Sequence, residues 1–283
     1  MIAKFFFGLV GLALAFPLGG LVAGLDRRIT ARMQSRFGPP ILQPFYDVFK
    51  LMGKGANTVN AWLVLCSYLT LMSSALAVFL FFFQADLLLI FFVMTIGAVF
   101  QVMGALSVNS PYSQVGAQRE LIQMLTYEPL IIIVFIGIAL KTNSFSIERI
   151  YAQDAPLLLS LPLLFLALGV ALTIKLRKSP FDISASHHGH QEIVRGVLTE
   201  YTGVQLAMLE VAHWLDVVLI LGLCALFWTT SWIGMVILLL VTYFVELLVD
   251  NISSRLTWQW MLKRVLAPTM ILCVINLLWL KAM

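Results

Sequence analysis

The ionisable side chains that fall within or beside apolar runs are few, and their spacing suggests proton chemistry. Glu200 and Glu210 bracket the start of one such run, and Glu210, His213 and Asp216 recur every three residues, on a partly common helix face. Carboxylates and an imidazole so placed can pass protons through water, because histidine changes charge near neutral pH. Glu128 precedes Pro129 inside another apolar run. A mid-helix proline frees the carbonyl four residues earlier, here that of Leu125, so a carboxylate stands beside open backbone that can hold water. Glu246 and Asp250, one helical turn apart, are relay groups or partners of Arg255 and Lys263. Each site has a structural alternative: headgroup-boundary snorkelling for Glu128, interhelical hydrogen bonding for the 210–216 series.

His187, His188 and His190 form a His-His-Gly-His run. Imidazole is a common transition-metal ligand, but no nearby cysteine completes a familiar metal spacing, so solvated loop histidines or proton relays are expected. Cys66, Cys224 and Cys273 lie far apart within apolar stretches without a CxxC pair, and no redox centre, metal or flavin is expected on this chain. The phosphate-binding loop, dinucleotide fingerprint, zinc-protease helix and nucleophile elbow are all absent, which removes nucleotide, hydride and hydrolytic chemistry.

The elements that carry these residues must be membrane helices. Of the 283 residues 61% are hydrophobic and 11% charged, whereas a soluble domain carries about 25% charged residues. The alternating pattern of a lipid-facing barrel is missing, so the expected fold is all-α, one polytopic domain over 1–283. About 20 apolar residues cross the hydrocarbon core, and eight spans are predicted at 2–25, 61–83, 87–108, 121–140, 157–176, 204–227, 232–250 and 265–281. The first is read as a retained span, because cleavage after Ala13-Leu14-Ala15 would strand the apolar Phe16–Leu25.

Connections at 84–86 and 229–231 are short turns. Of the 18 Lys and Arg, only Lys4, Lys141, Arg149 and Lys281 lie outside the loops at 26–60, 109–120, 175–203 and 251–264. Cytoplasmic loops retain basic residues, so both termini are placed outside, with tryptophans near the span ends as interfacial anchors. Of the 14 acids, only Asp86, Glu148 and Asp154 lie away from that basic side. The formal charge of +4 is confined to these connections and implies anionic headgroups rather than nucleic acid. In the first loop, Arg28, Arg32 and Arg36 recur every four residues beside Ile29, Met33 and Phe37, which predicts a surface-lying amphipathic helix broken at Gly38-Pro39-Pro40. Beyond it, Phe45, Val48, Phe49 and Met52 form an apolar stripe beside Asp47, Lys50 and Lys54. Headgroup anchoring and docking of a soluble partner both suit such a loop.

In these loops the chain resembles subunit 1 of respiratory complex I and its relatives in membrane-bound energy-converting [NiFe] hydrogenases. Asp26-Arg27-Arg28, Arg32-Met33-Gln34, Arg36-x-Gly38-Pro39, Leu42-Gln43-Pro44, Asp47 and Lys50-Leu51 are similar to the family's first cytoplasmic loop, and Gly116-Ala117-Gln118-Arg119-Glu120 with Tyr127-Glu128-Pro129 to its second. Pro180-Phe181-Asp182, His190-Gln191-Glu192 and Thr199-Glu200-Tyr201-Thr202-Gly203 resemble the third, and Asp250-Asn251, Arg255 and Trp258 the fourth. The compact Gly38–Leu42 segment and the His-rich 186–190 stretch look closer to the Ech-type hydrogenase branch than to quinone-reducing members.

The resemblance implies a prokaryotic inner-membrane subunit on which hydrogenase large and small subunits and an iron–sulfur subunit dock, beside an antiporter-like membrane subunit. It would couple ferredoxin-linked hydrogen turnover to proton or sodium translocation, with the [NiFe] centre and iron–sulfur clusters on those partners. Glu128, Glu192 and Glu200 are carried over by motif as coupling residues, with Glu210 beside them. Arg27, Arg28, Arg32, Arg36, Asp47, Lys50, Asp182 and the three histidines would shape the docking surface. A quinone-site subunit of a complex I-type NADH or ferredoxin dehydrogenase, and an independent secondary ion transporter, are the competing functions.

The charge asymmetry sets the expected topology. Thiols engineered at Asn57 and Ser186 should be shielded from an impermeant reagent in intact cells while one at Asn143 reacts; the reverse pattern overturns the orientation.

Overall fold

A computed structural model describes residues 2–55, 60–178, 180–181, 195–254 and 256–282. It is built from helices: α1 (Ile2–Met33), α2 (Gln43–Met52), α3 (Ala61–Phe82), α4 (Leu87–Leu106), α5 (Pro111–Thr142), α6 (Ile147–Tyr151), α7 (Leu157–Ser160), α8 (Pro162–Lys175), α9 (Gly203–Ala225), α10 (Trp232–Ile252), α11 (Trp258–Trp260) and α12 (Ala267–Ala282). A π-helical turn, Met261–Leu266, joins α11 to α12. Seven segments are long and apolar enough to cross a bilayer, and no strand element occurs among the described residues. The protein is an all-α polytopic membrane protein. Its described residues group into two compact units: the first falls within 1–83, 92–121 and 183–218, the second within 84–91, 122–182 and 219–283.

In the first unit α1 packs on α3 through small residues. Its buried positions are Gly8, Gly11, Ala15, Gly19, Gly20 and Gly24, while Phe5, Phe6, Leu14 and Leu18 face outward as lipid-facing residues do. Close approach requires the glycines: a methyl at Gly11 would overlap the Phe82 ring, and one at Gly19 would come within 2.6 Å of the Trp214 carbonyl oxygen. Asn60 caps α3, its side chain accepting from the Trp62 amide at 3.0 Å, and donates to the Ser107 carbonyl at 2.9 Å, tying the start of α3 to the end of α4.

Three expectations need correction. The arginine-bearing start of the first loop is not a separate surface helix, because α1 continues through Arg28 and Arg32 to Met33 as one 32-residue helix. No breaker stands between Leu25 and Met33, and the chain turns only at Ser35, whose φ is +57°. In the second loop, likewise, α5 begins at Pro111 rather than near 121, proline being well suited to a first helical turn. On α2, Pro44 and Val48 are the buried residues, whereas Phe49 and Met52 are 63% and 46% exposed, so half of the predicted apolar stripe faces away from the protein.

The second unit contains the largest departure. The span expected over 157–176 is interrupted: α7 stops at Ser160, Leu161 takes non-helical angles, and α8 restarts on Pro162 for 14 residues, about 21 Å against a hydrocarbon core of roughly 30 Å. Backbone freed in lipid must find partners inside the protein. Asn276 on α12, fully buried, supplies them: its Oδ1 accepts from the Leu163 and Leu164 amides at 3.1 Å each, and its Nδ2 donates to the Ser160 carbonyl at 3.2 Å. The π turn at 261–266 ends two residues before Pro268, which cannot donate to the Arg264 carbonyl, so the ladder widens there.

Replacing Asn276 with leucine leaves two amides and a carbonyl without partners in an apolar interior. Thermal unfolding of the Asn276→Leu protein in detergent should show a loss of about 2–4 kcal/mol. An unchanged melting temperature would show that helix packing alone holds the break.

Candidate functional site

Among the described residues two groups of charged side chains stand out, one in each unit. In the first, the C-terminal end of α1, helix α2, Arg195 and α9 surround a cavity of about 230 Å³. Arg27 Nη1 pairs with Asp47 Oδ2 at 3.0 Å, and Gln43 Nε2 donates to Asp47 Oδ1 at 2.9 Å. Arg195 Nη2 lies 3.7 Å from Glu210 Oε1. Lys50 and Lys54 also line the cavity, so its cations outnumber its two carboxylates. Both ions of the Arg27–Asp47 pair are over 40% exposed, and such a pair contributes only ~0–1 kcal/mol. Its use is to fix the α1–α2 corner and leave net positive charge around an opening. Phe16, Phe45 and Trp214 cluster beside it, with ring centroids 5.2–6.4 Å apart.

The predicted Glu210, His213 and Asp216 series does lie on one helix, α9, and all three are half-buried; Glu210 is the member that lines the cavity. Glu200 sits half-buried in the turn before α9, next to Tyr201, which is 2% exposed. Burial first, and the nearby Cys66 thiol second, hold the Tyr201 phenol well above its ordinary pKa. The Tyr201 hydroxyl and the Gln205 Oε1 are sealed without a hydrogen-bond partner. Neither was singled out from sequence, although Tyr201 lies in the Thr-Glu-Tyr-Thr-Gly motif.

Two carboxylates of the second unit each have an oxygen sealed from solvent, among the described residues. Glu128 is half-buried, with Oε1 sealed and unpartnered, and Lys175 is its facing charge. The Lys175 ammonium lies 5.3 Å from the centroid of the Tyr127 ring. Glu246 is 5% exposed; Thr173, Lys178 and Asp250 are its polar and charged neighbours, and its Oε2 is sealed without a partner. Lys178 is itself 5% exposed, with Nζ 4.9 Å from the Tyr243 ring centroid.

A helix-terminating turn produces that burial. The Arg177 amide donates to the Ile174 carbonyl at 3.0 Å and the Lys178 amide to the Thr173 carbonyl at 3.1 Å, the paired bonds of a Schellman ending. Arg177 occupies the left-handed position at φ +55°, where glycine is usual. The chain therefore doubles back and lays Lys178 beside Thr173. The compositional rule that lysine is almost never fully buried unless paired hid this residue from sequence reading.

The remaining docking candidates are exposed. Arg28 points outward on α1, Arg32 stacks 5.2 Å over the Phe37 ring, and Arg36 donates to the Gln34 side-chain oxygen. Asp182, His187, His188, His190, Glu192 and Arg255 lie outside the described residues. Among the described residues, no three His, Cys, Asp or Glu side chains are grouped to hold a metal ion. The predicted Arg27, Asp47, Lys50 and Glu210 thus come together around one cavity, and Glu246 and Asp250 around a second buried centre that also recruits Lys178.

Comparison with known proteins follows the same lines. The family profile described as NADH dehydrogenase matches residues 7–281. Hydrogenase-4 component C of Escherichia coli (strain K12) is 33% identical over 220 residues, covering 71% of this chain and 68% of that protein. A subunit of the NADH-quinone oxidoreductase of Syntrophotalea carbinolica is 27% identical over 257 residues, 80% of this chain and 77% of its own. The fold matches a solved chain of the membrane-bound sulfane sulfur reductase, an archaeal respiratory membrane complex, with a TM-score of 0.87 over 98% of this chain and 99% of that one, at 24% identity. With the profile matched almost end to end, this chain belongs to the NADH dehydrogenase subunit 1 family, the membrane-subunit family of complex I-like oxidoreductases.

Proposed function

We propose that this chain is the membrane subunit of an Ech-type energy-converting [NiFe] hydrogenase, anchoring the hydrogenase and iron–sulfur arm and coupling ferredoxin-linked hydrogen turnover to proton or sodium translocation. The carrying observation is the pair of carboxylates on apolar helices, half-buried Glu128 and buried Glu246, each with an oxygen sealed from solvent and unpartnered. Ionisable groups within spans are costly and mark ion pathways. The 33% identity to hydrogenase-4 component C and the compact Gly38–Leu42 segment support the hydrogenase branch. Family membership favours a subunit over an independent transporter. In this reading both termini lie outside the prokaryotic cytoplasmic membrane, and the arm meets the basic side, against Arg27, Arg28, Arg32, Arg36, Lys50 and the cationic cavity. Nickel, iron and sulfur stay on partner subunits, and this chain contributes charge and shape.

A quinone-site role in an NADH or ferredoxin dehydrogenase is the second reading, favoured by Trp214, which lines the cavity and packs on Phe16 and Phe45. Purifying the complex separates the two: a co-purifying large subunit that evolves hydrogen supports the first, and quinone-dependent oxidation of reduced ferredoxin or NADH without hydrogen formation supports the second.

Two outcomes test the coupling reading. Reversing charge at Arg32 and Arg36, both exposed, should release the arm at lower salt than the unaltered complex; full, salt-resistant attachment would assign these arginines to lipid. Glutamine at Glu128 or Glu200 keeps size and hydrogen bonding but removes titration. In sealed vesicles, Glu128→Gln and Glu200→Gln should lower ions moved per hydrogen formed more than hydrogen formation from an artificial donor. Normal coupling in both would remove these glutamates from the path.

A further inference from the structure

The connection from α10 to α12 carries positive charge that the described protein does not answer. Trp258 and Trp260 of α11 are exposed, and so are Lys263 and Arg264 in the π turn that follows. The backbone beneath them is held from inside. Met261 is buried, its amide donates to the Thr257 carbonyl at 3.1 Å, and the Leu256 amide donates to the Pro180 carbonyl at 2.6 Å. The outward side chains therefore stand on a fixed base. Arg264 Cζ lies 5.3 Å from the centroid of the Trp260 ring. A guanidinium over a ring gives its face to the π electrons and keeps its in-plane N–H donors for another acceptor. Among the described residues, neither the Arg264 nor the Lys263 side chain has a carboxylate or other hydrogen-bond acceptor as partner.

The level of this patch in the bilayer follows from length. The span Trp258–Ala282 has 25 residues, about 38 Å as helix, whereas the hydrocarbon core is roughly 30 Å thick. The surplus must lie among headgroups, and the end that carries two tryptophans and two cations is suited to that layer. Deeper along α12, Ile271, Ile275 and Leu278 are exposed, seven, eleven and fourteen residues beyond Arg264, spacings that return to one helix face. A cationic head above an apolar stripe complements an anionic head above a hydrocarbon chain.

We propose that Trp260, Lys263, Arg264 and the 271–278 stripe of α12 form a binding site for one anionic glycerophospholipid, with its phosphate on the two cations and an acyl chain along the stripe. The planar guanidinium gives parallel N–H bonds to two phosphate oxygens, and the Lys263 ammonium adds a second charge. The Trp260 ring holds the guanidinium in place where a carboxylate would otherwise neutralise it. A zwitterionic lipid presents the same phosphate but brings a cation of its own, so net headgroup charge decides between the two. A carboxylate from a neighbouring subunit would also meet Lys263 and Arg264, yet the apolar stripe beyond them favours a ligand that joins an anion to a chain. This site does not depend on the hydrogenase or coupling role proposed above.

The test uses the intact membrane complex in phosphatidylcholine vesicles that hold a trace of phosphatidylglycerol with a photoreactive diazirine in its acyl chain. In a parallel set the diazirine is carried by phosphatidylcholine. Irradiation, digestion and mass spectrometry then locate the adducts. A basic residue near a membrane surface contributes about fivefold to anionic-lipid binding, so phosphatidylglycerol should label 271–278 at least about tenfold more than phosphatidylcholine does. Exposed Leu240 and Phe244 of α10 should take up both lipids equally and serve as the internal reference. Lys263→Gln and Arg264→Gln should each lower the phosphatidylglycerol yield about fivefold, and the double variant should bring it down to the phosphatidylcholine level. Arg264→Lys keeps the charge but loses the stacked fork, and should fall between Arg264→Gln and the unaltered complex. Equal labelling of 271–278 by the two lipids in the unaltered complex overturns the site without recourse to any variant. A phosphatidylglycerol preference that survives in the double variant overturns it as well. So do adducts that form only after partner subunits are stripped away, since the face would then belong to a neighbouring protein.

Discussion

A polar group taken into hydrocarbon must be met there by another part of the protein, because lipid offers no donors, acceptors or counter-charges. That requirement organises the second unit. Where α7 gives way to α8, the freed amides and carbonyl are met by the single carboxamide of Asn276. Where α8 ends, its lysines meet tyrosine faces and glutamates from α5 and α10. The first arrangement is fully satisfied and fixes structure. The second leaves Glu128 Oε1 and Glu246 Oε2 without a protein partner.

The first unit solves a different problem. Its charges lie near solvent, so individual pairs add little to stability. What they contribute is shape and sign: the Arg27–Asp47 and Arg195–Glu210 pairs hold the rim of an opening whose surplus of cations suits an anionic surface. The glycine face of α1 brings its backbone close enough to Trp214 for the aromatic cluster to form beside that opening.

Much of this was legible from the residues. Apolar runs located most of the spans, and Glu210 with Arg27, Asp47 and Lys50 did converge. What escaped reading was local geometry that hydropathy does not encode. The run 157–176 looks like an ordinary span, and only the asparagine 113 residues further on, contacting Leu163, reveals that its backbone is broken. The arginines at 28 and 32 read as a surface helix because charge normally ends a span, yet helix continues wherever nothing interrupts its hydrogen bonds. Lys178 read as a loop cation because its burial depends on a left-handed arginine, a conformation for which residue type gave no warning.

The uninterrupted course of α1 has a mechanical meaning. At 32 residues it is about 48 Å long, well beyond the thickness of the hydrocarbon layer, and its basic end belongs to the same continuous helix that packs against Phe79 and Phe82. A load applied at Arg28 or Arg32 is not dissipated in a slack loop. It travels as tilt along a strut whose one weak point is Pro17, and the tightness of the glycine contacts sets how far that strut can lean before α3 must lean with it.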